Sequence, residues 1–153
     1  MRRAAGVLAL LAALALAACS PQAPKGISKD ALDTAVNGAV GDPNTCVLIG
    51  KASSGQVVYQ FGTHVTCGKA WPTCEGAKRR TVDDLLKSTA HGATATQSSC
   101  GSNVEGSRWV GWAAGPVEGR PDLVYAASME GTATPPGVVI ADKLKAALKA
   151  AGL

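Results

Sequence analysis

Residues 107–131 read SRWVGWAAGPVEGRPDLVYAASMEG, and the fold class depends most on this stretch. Residues 108–113 and 123–129 are apolar runs rich in aromatic or β-branched side chains, which is typical of buried strands. Residues 115–122 lie between them and contain the glycines and prolines that favour a loop. The stretch therefore predicts two buried strands separated by a loop.

Three further strands are predicted upstream. Residues 46–50 are a short apolar run and residues 56–61 are a second β-rich run, and the turn residues Ser53-Ser54-Gly55 lie between them. This pattern predicts a β-hairpin. Residues 93–99, ATATQSS, are polar and β-branched, which suits an edge strand whose free edge is open to a second chain.

Three helices are predicted from their caps and from helical spacing of apolar residues. Ser28 suits the N-cap of the first helix, Thr81 begins the second, and Thr134-Pro135-Pro136 begins the third. The apolar residues are Leu32, Ala35, Val36 and Ala39 in the first helix, Val82, Leu85 and Leu86 in the second, and Ile140, Leu144, Leu148 and Ala151 in the third. Gly92 ends the second helix, and residues 62–80 are expected to be irregular.

The resulting order of elements is α-ββ-α-βββ-α. This order resembles profilin-like and roadblock-like binding domains, and also the αβ half of penicillin-binding proteins and β-lactamases without its helical domain. Residues 107–131 look most similar to the last two strands of the penicillin-binding group. The resemblance implies an α+β fold with a five-stranded antiparallel sheet of order 2-1-5-4-3, formed by residues 28–153 as a single domain.

Four cysteines follow Cys19, and an even number in an exported chain favours two disulfides. Zinc is the competing interpretation, but Cys67 and Cys74 have six residues between them, and no pair has zinc-finger spacing. The sheet order implied by the resemblance favours the pairs Cys46–Cys67 and Cys74–Cys100. With that order, a Cys67–Cys74 bridge would leave Cys46 and Cys100 about 14 Å apart across three strand spacings, too far for a disulfide.

The first 19 residues resemble the precursor of a bacterial lipoprotein. A basic start is followed by an apolar run of small residues, and Leu16-Ala17-Ala18-Cys19 matches the lipobox. The resemblance implies that residues 1–18 are a signal peptide, that Cys19 carries a diacylglyceryl group and an acyl chain such as palmitate, and that residues 19–27 form a lipidated tether. Ser20 in place of Asp implies the outer membrane, with the domain in the periplasm. An ordinary signal peptide is the alternative.

Charge argues against a nucleic-acid partner. Removal of Arg2 and Arg3 with the signal peptide leaves 13 basic and 11 acidic residues, a formal net charge of +2. Nucleic-acid binding needs a clustered basic face, and the one basic cluster is Lys78-Arg79-Arg80. We therefore expect no nucleic acid among the partners.

The sequence lacks the pattern of a penicillin-binding enzyme. Such an enzyme needs a Ser-x-x-Lys pair and a Lys-Thr-Gly strand. The predicted segments contain no such serine and lysine, and His91-Gly92-Ala93-Thr94 stands where Lys-Thr-Gly is expected. The loop carboxylates Glu75, Glu105, Glu118 and Glu130 stand beside glycines and are expected to be solvated turn residues. Neither they nor the two histidines form a recognisable catalytic or metal motif. We expect no catalytic residue, no metal and no cofactor.

The remaining candidates for function are residues of a binding surface. Trp71, Trp109 and Trp112 are three of the six aromatic residues, and tryptophan is enriched at binding hot spots. Trp71 or Trp112, if exposed, would mark such a surface together with Lys78, Arg79 and Arg80. The sequence predicts a non-catalytic binding module of the cell envelope, anchored in the membrane, with an envelope protein or a peptidoglycan component as partner. The alternatives are a degenerate serine-hydrolase-like protein that interacts with peptidoglycan and a structural envelope lipoprotein.

Overall fold

A computed structural model describes residues 21–153, which form an α+β fold around one five-stranded antiparallel sheet. The helices are α1 (Lys29–Val40), α2 (His64–Cys67), α3 (Val82–Ala90) and α4 (Gly137–Ala150). The strands are β1 (Cys46–Lys51), β2 (Val57–Phe61), β3 (Trp71–Pro72), β4 (Arg79–Arg80), β5 (Thr96–Gly101), β6 (Trp109–Val117) and β7 (Arg120–Gly131). The prediction of an α+β fold with a five-stranded antiparallel sheet is confirmed.

The order of strands in the large sheet is β2-β1-β7-β6-β5, and β3 and β4 form a separate two-stranded ribbon. The order is therefore 2-1-7-6-5 rather than 2-1-5-4-3. The numbering differs because β3 and β4 come between the second and third strands of the prediction. The short helix α2 also adds an element that the expected connectivity lacked, so residues 62–80 are not simply irregular.

The hairpin of β6 and β7 forms the centre of the molecule. Its register runs from Trp109 opposite Gly131 to Val117 opposite Arg120. The expected loop over residues 115–122 is wrong, because the strands continue to a tight turn. Gly119 has a φ of +78°, which a residue with a side chain seldom adopts, so glycine allows the chain to reverse there.

Helices cover both faces of the sheet. Helices α1 and α4 pack on one face, here called the α1/α4 face, and α3 packs on the other, the α3 face. Side chains alternate between the faces along each strand. The buried strand residues of the α1/α4 face include Val47, Ile49, Ala113, Val117, Tyr125, Ala127 and Met129. Those of the α3 face include Cys46, Leu48, Val110, Trp112, Ala114, Val124 and Ala126.

The predicted caps are correct for two of the three long helices. The Ser28 side chain accepts a hydrogen bond from Ala31 N–H, and Thr81 forms a capping box with Asp84. Thr134 does not cap α4, which begins at Gly137, and no side chain of its own N-terminus caps it. Instead, Ser99 Oγ on β5 accepts a hydrogen bond from Gly137 N–H at 2.7 Å, because the helix starts directly against the sheet.

The lipobox, the signal peptide at residues 1–18 and the lipidation site Cys19 lie outside the described residues. Within the expected tether, Ala23 and Ile27 are partly buried and pack against the core. Among residues 21–153, no helix combines the length and the apolar character that a membrane span requires.

Candidate functional site

The segment of residues 68–80, here called the strap, crosses the α3 face of the sheet. Two disulfides fix it. Cys67, immediately before the strap, is bonded to Cys46 of β1, and Cys74 within the strap is bonded to Cys100 of β5, with Cα–Cα distances of 5.1 and 5.4 Å. The prediction of disulfide bonds is confirmed, and the pairs are those that the resemblance favoured. Because β7 and β6 lie between β1 and β5, the strap spans the middle of the sheet.

Trp112 lies beneath the strap and is fully buried. Its Nε1 donates a hydrogen bond to the Pro72 carbonyl oxygen at 2.8 Å, and the Arg80 guanidinium lies 4.7 Å from the centre of its ring. The condition for a binding role of Trp112, an exposed side chain, is therefore not met. The strand register turns Trp112 toward the α3 face, where the strap covers it, whereas Trp109 is 47% exposed.

Four buried polar atoms without a hydrogen-bond partner lie around Trp112. Among the described residues, these are the Nε1 of Trp71, the Nε of Arg80, and the hydroxyl oxygens of Ser98 and Ser128. Ser98 and Ser128 are the two cross-strand partners of Trp112, Arg80 lies over its ring, and Trp71 pairs with Arg80 in the ribbon. Buried polar groups are normally paired, so four unpaired ones at a single place mark an unusual region.

The outer surface of the strap carries positive charge. Lys69, Lys78 and Arg79 are exposed, and within residues 21–153 none of them takes part in an ion pair. Arg79 Nε and Nη2 donate hydrogen bonds to the Ala70 carbonyl oxygen at 3.1 and 2.6 Å, which links the two sides of the ribbon. Lys69 Nζ lies 5.5 Å from the ring of Trp71. The strap is thus rigid, cationic and partly aromatic.

Arg80 connects the outer surface to the interior. It is half-buried, and burial lowers the pKa of its guanidinium, while the carboxylate of Glu75 raises it. An arginine stays charged in proteins even so. Its Nε is buried and, among the described residues, has no hydrogen-bond partner.

Of the predicted surface residues, the structure brings Trp71, Arg80 and Trp112 together. Lys78 and Arg79 lie on the exposed side of the same strap and belong to the same surface. Sequence reasoning missed Ser98 and Ser128. The signal that could have found them is their register opposite Trp112, which appears only once the strands are paired.

Glu130 was expected to be a solvated turn residue, and this expectation is wrong. Its side chain is 3% exposed and accepts two hydrogen bonds from Arg108, at 2.7 and 2.6 Å, and one each from Ser102 and Asn44. These hydrogen bonds, led by those from Arg108, lower the pKa of Glu130. A carboxylate with a lowered pKa is a weak base, so the pair Ser102–Glu130 does not resemble an activated nucleophile. The cluster joins the ends of β5, β6 and β7.

Other sequence candidates remain apart. His64 at the start of α2 and His91 at the end of α3 are both exposed. In the part of the chain that the structure describes, His, Cys, Asp and Glu side chains form no group of three or more that could hold a metal ion.

Comparisons of the chain with protein-family models, with curated proteins and with solved structures found no match.

Proposed function

We propose that this protein is a lipid-anchored lipoprotein of the bacterial envelope that acts as a non-catalytic binding module. The strap is its binding surface, and an acidic envelope protein is its partner. The observation that carries the proposal is the exposed cationic side of the strap, where Lys69, Lys78 and Arg79 have no ion-pair partner among the described residues and stand on a segment fixed by two disulfides.

The chemistry of the strap favours an anionic partner. The exposed side chains of Lys69, Lys78 and Arg79 supply both positive charge and N–H donors. Carboxylates satisfy both requirements, since they accept hydrogen bonds and carry negative charge. The two disulfides fix the strap before binding, which lowers the entropic cost of association.

The proposed location follows from the N-terminus. Lipidation of Cys19 by more than one acyl chain would give stable anchoring. Ser20 supports the outer membrane, and the domain then faces the periplasm. Because Ala23 and Ile27 pack against the domain, only a few residues would separate the domain from the membrane.

In-cell crosslinking tests this function. A photo-crosslinking residue replaces the exposed Ala77, beside Lys78, and adducts are identified by mass spectrometry. We expect one dominant acidic protein. The adduct should disappear in the double variant Lys69→Glu/Lys78→Glu and persist in the control Lys25→Glu/Lys143→Glu, which changes the same charge at exposed positions outside the strap. Recovery of peptidoglycan fragments alone, or an adduct that both variants retain, would contradict the proposal.

A second candidate is a degenerate serine-hydrolase-like protein that interacts with peptidoglycan. This candidate is supported by the side-by-side order of strands in the large sheet, β2-β1-β7-β6-β5, and by the helices on both faces of that sheet. Labelling of the protein by a fluorescent penicillin would favour this candidate. A structural envelope lipoprotein is the third candidate, and a deletion strain with an altered envelope but no retrievable ligand would favour that one.

A further inference from the structure

A groove lies on the α1/α4 face, on the side of the sheet away from the strap. It is bounded by α4 and by the β6–β7 hairpin, and its volume is about 630 Å³. Its walls include Val117, Tyr125, Ala141, Leu148, Lys145 and Lys149. We call it the α4 groove. Its volume is in the range of sites that bind small molecules in other proteins.

The floor of the α4 groove is apolar but contains one unused donor. Val117, Ala141 and Leu148 are each no more than 4% exposed, and Tyr125 is 7% exposed. Among the hydrogen bonds of residues 21–153, none involves the Tyr125 hydroxyl. Burial raises the pKa of Tyr125, with a smaller contribution from Asp142, so the hydroxyl keeps its proton and can donate it in a hydrogen bond.

The rim of the α4 groove carries one cation that is not paired. Lys145 Nζ lies 2.6 Å from a carboxylate oxygen of Glu118, so its charge is matched. Lys149, one turn further along α4, acts electrostatically on Glu118 from a greater distance but forms no ion pair within the described part of the chain. Asp142 also lines the groove and acts electrostatically on Tyr125, which disfavours a second negative group beside the tyrosine hydroxyl.

We propose that the α4 groove binds a small amphipathic carboxylate. Its apolar body lies against the exposed Pro116 and the half-buried Leu153, over a base formed by Val117, Ala141 and Leu148, and a neutral acceptor such as a carbonyl oxygen within that body accepts the hydrogen bond of Tyr125. The carboxylate lies at the rim beside Lys149, away from Asp142. This site is separate from the strap, so it does not depend on the function proposed above.

Ligand-observed fluorine NMR tests the site. The probe is para-trifluoromethylbenzoylpropionate, which combines an apolar ring, a ketone and a carboxylate. It is titrated into the full chain held in lipid nanodiscs, and the line broadening is compared with that in empty nanodiscs. The variants are Lys149→Glu, which reverses the rim charge, and Tyr125→Phe, which removes only the hydroxyl. Lys143→Glu, on the same helix but not in the groove wall, is the matched control.

We expect broadening with the wild-type chain and a weaker affinity in both groove variants. Lys149→Glu should weaken binding at least about fivefold, and Tyr125→Phe about threefold to tenfold, as for the loss of one hydrogen bond. Lys143→Glu should stay within about twofold, because an exposed charge away from the site is screened. Broadening no larger than in empty nanodiscs, or broadening that Lys149→Glu and Tyr125→Phe both leave unchanged, would overturn the proposal.

Discussion

Trp112 organises the polar groups beneath the strap. Two residues of the strap shield its ring from water. The Pro72 carbonyl oxygen accepts a hydrogen bond from the indole N–H, and the Arg80 guanidinium lies over the ring. The hydroxyls of Ser98 and Ser128 flank the same ring from neighbouring strands. Trp112 thus connects the sheet to the strap above it, the two layers that the disulfides also link. It lies beside the buried polar groups under the cationic side of the strap.

The contact between Arg80 and Trp112 makes a direct prediction. Arg80→Ala should lower the free energy of unfolding by about 1–2 kcal/mol, because it removes a partly desolvated cation–π contact and the packing of the arginine stem. Urea unfolding measures this difference. The control Lys78→Ala removes an exposed neighbouring charge and should change stability by less than about 0.5 kcal/mol. Equal effects of the two variants would mean that Arg80 does not support Trp112.

The buried Glu130 predicts a pH dependence of stability. Its pKa lies below the ordinary value of 4.5 in the folded state, chiefly because of the hydrogen bonds from Arg108. The ionised carboxylate therefore stabilises the fold above about pH 4.5, and this contribution is lost as the pH falls through the folded-state pKa. At pH 7, Glu130→Gln should destabilise the protein by about 2 kcal/mol, in line with hydrogen bonds to a charged group.

Unfolding curves measured from pH 7 downward test whether the stabilisation by Glu130 decreases as the pH falls. The difference in stability between the wild type and Glu130→Gln should be constant near neutral pH and should shrink below about pH 4.5. The exposed carboxyl of Glu105 provides the control, and Glu105→Gln should follow the wild-type profile. A difference that grows as the pH falls would show that Glu130 does not act as an ionised carboxylate in the folded protein.

At the level of elements, sequence and structure agree best where a local signal sets the element. Ser28 and Thr81 cap helices as their types suggest, and the β1–β2 hairpin lies where its turn residues predict. The start of α4 was misplaced because it depends on a contact with β5, which is distant in sequence. The strap was missed for the same reason, since two-residue strands have no detectable period and their pairing depends on disulfides.

A methyl group added where α4 meets the sheet should destabilise the protein, whereas the same addition in α1 should stabilise it. A Cβ at Gly137 would lie 2.6 Å from the backbone N and O of Ser98 and would also meet the Trp112 carbonyl oxygen. Because backbone atoms cannot yield easily, Gly137→Ala should destabilise the protein by about 1–3 kcal/mol. Gly38 in α1 has open space around it, so Gly38→Ala should stabilise the protein by about 0.5–1 kcal/mol. Thermal unfolding of both variants provides the comparison, and destabilisation by Gly38→Ala or tolerance of Gly137→Ala would contradict this packing.

At the level of the whole molecule, the sheet separates two surfaces of different character. The α3 face carries the disulfide-fixed cationic strap, and the α1/α4 face carries an apolar groove with lysines at its rim. The sequence indicated the strap residues Trp71, Lys78, Arg79 and Arg80, whereas Trp112, which it named as a further candidate if exposed, is buried beneath the strap. The groove could not be predicted, because its walls come from elements that meet only in the folded protein.

The N-terminus makes a prediction about location. If Cys19 is lipidated, Cys19→Ser should abolish incorporation of an alkyne-labelled palmitate and release the protein from the membrane fraction. Ser20→Asp should keep the lipid but shift the protein from the outer to the inner membrane in a density gradient. No labelling of the wild type would favour an ordinary signal peptide, and unchanged labelling of Cys19→Ser would mean that Cys19 is not the lipidated residue.

The proposed binding role of the strap is tested most directly by fluorine NMR of the full chain in nanodiscs, with its three tryptophans replaced by fluorotryptophan. Trp71→Phe assigns the signal of Trp71, and polyglutamate at low salt serves as the acidic probe. We predict that the signal of Trp71 shifts with added polyglutamate, that high salt reverses the shift, and that exposed Trp109 does not respond. A shift of Trp109 alone, or no shift of Trp71, would contradict the assignment of the strap as the binding surface.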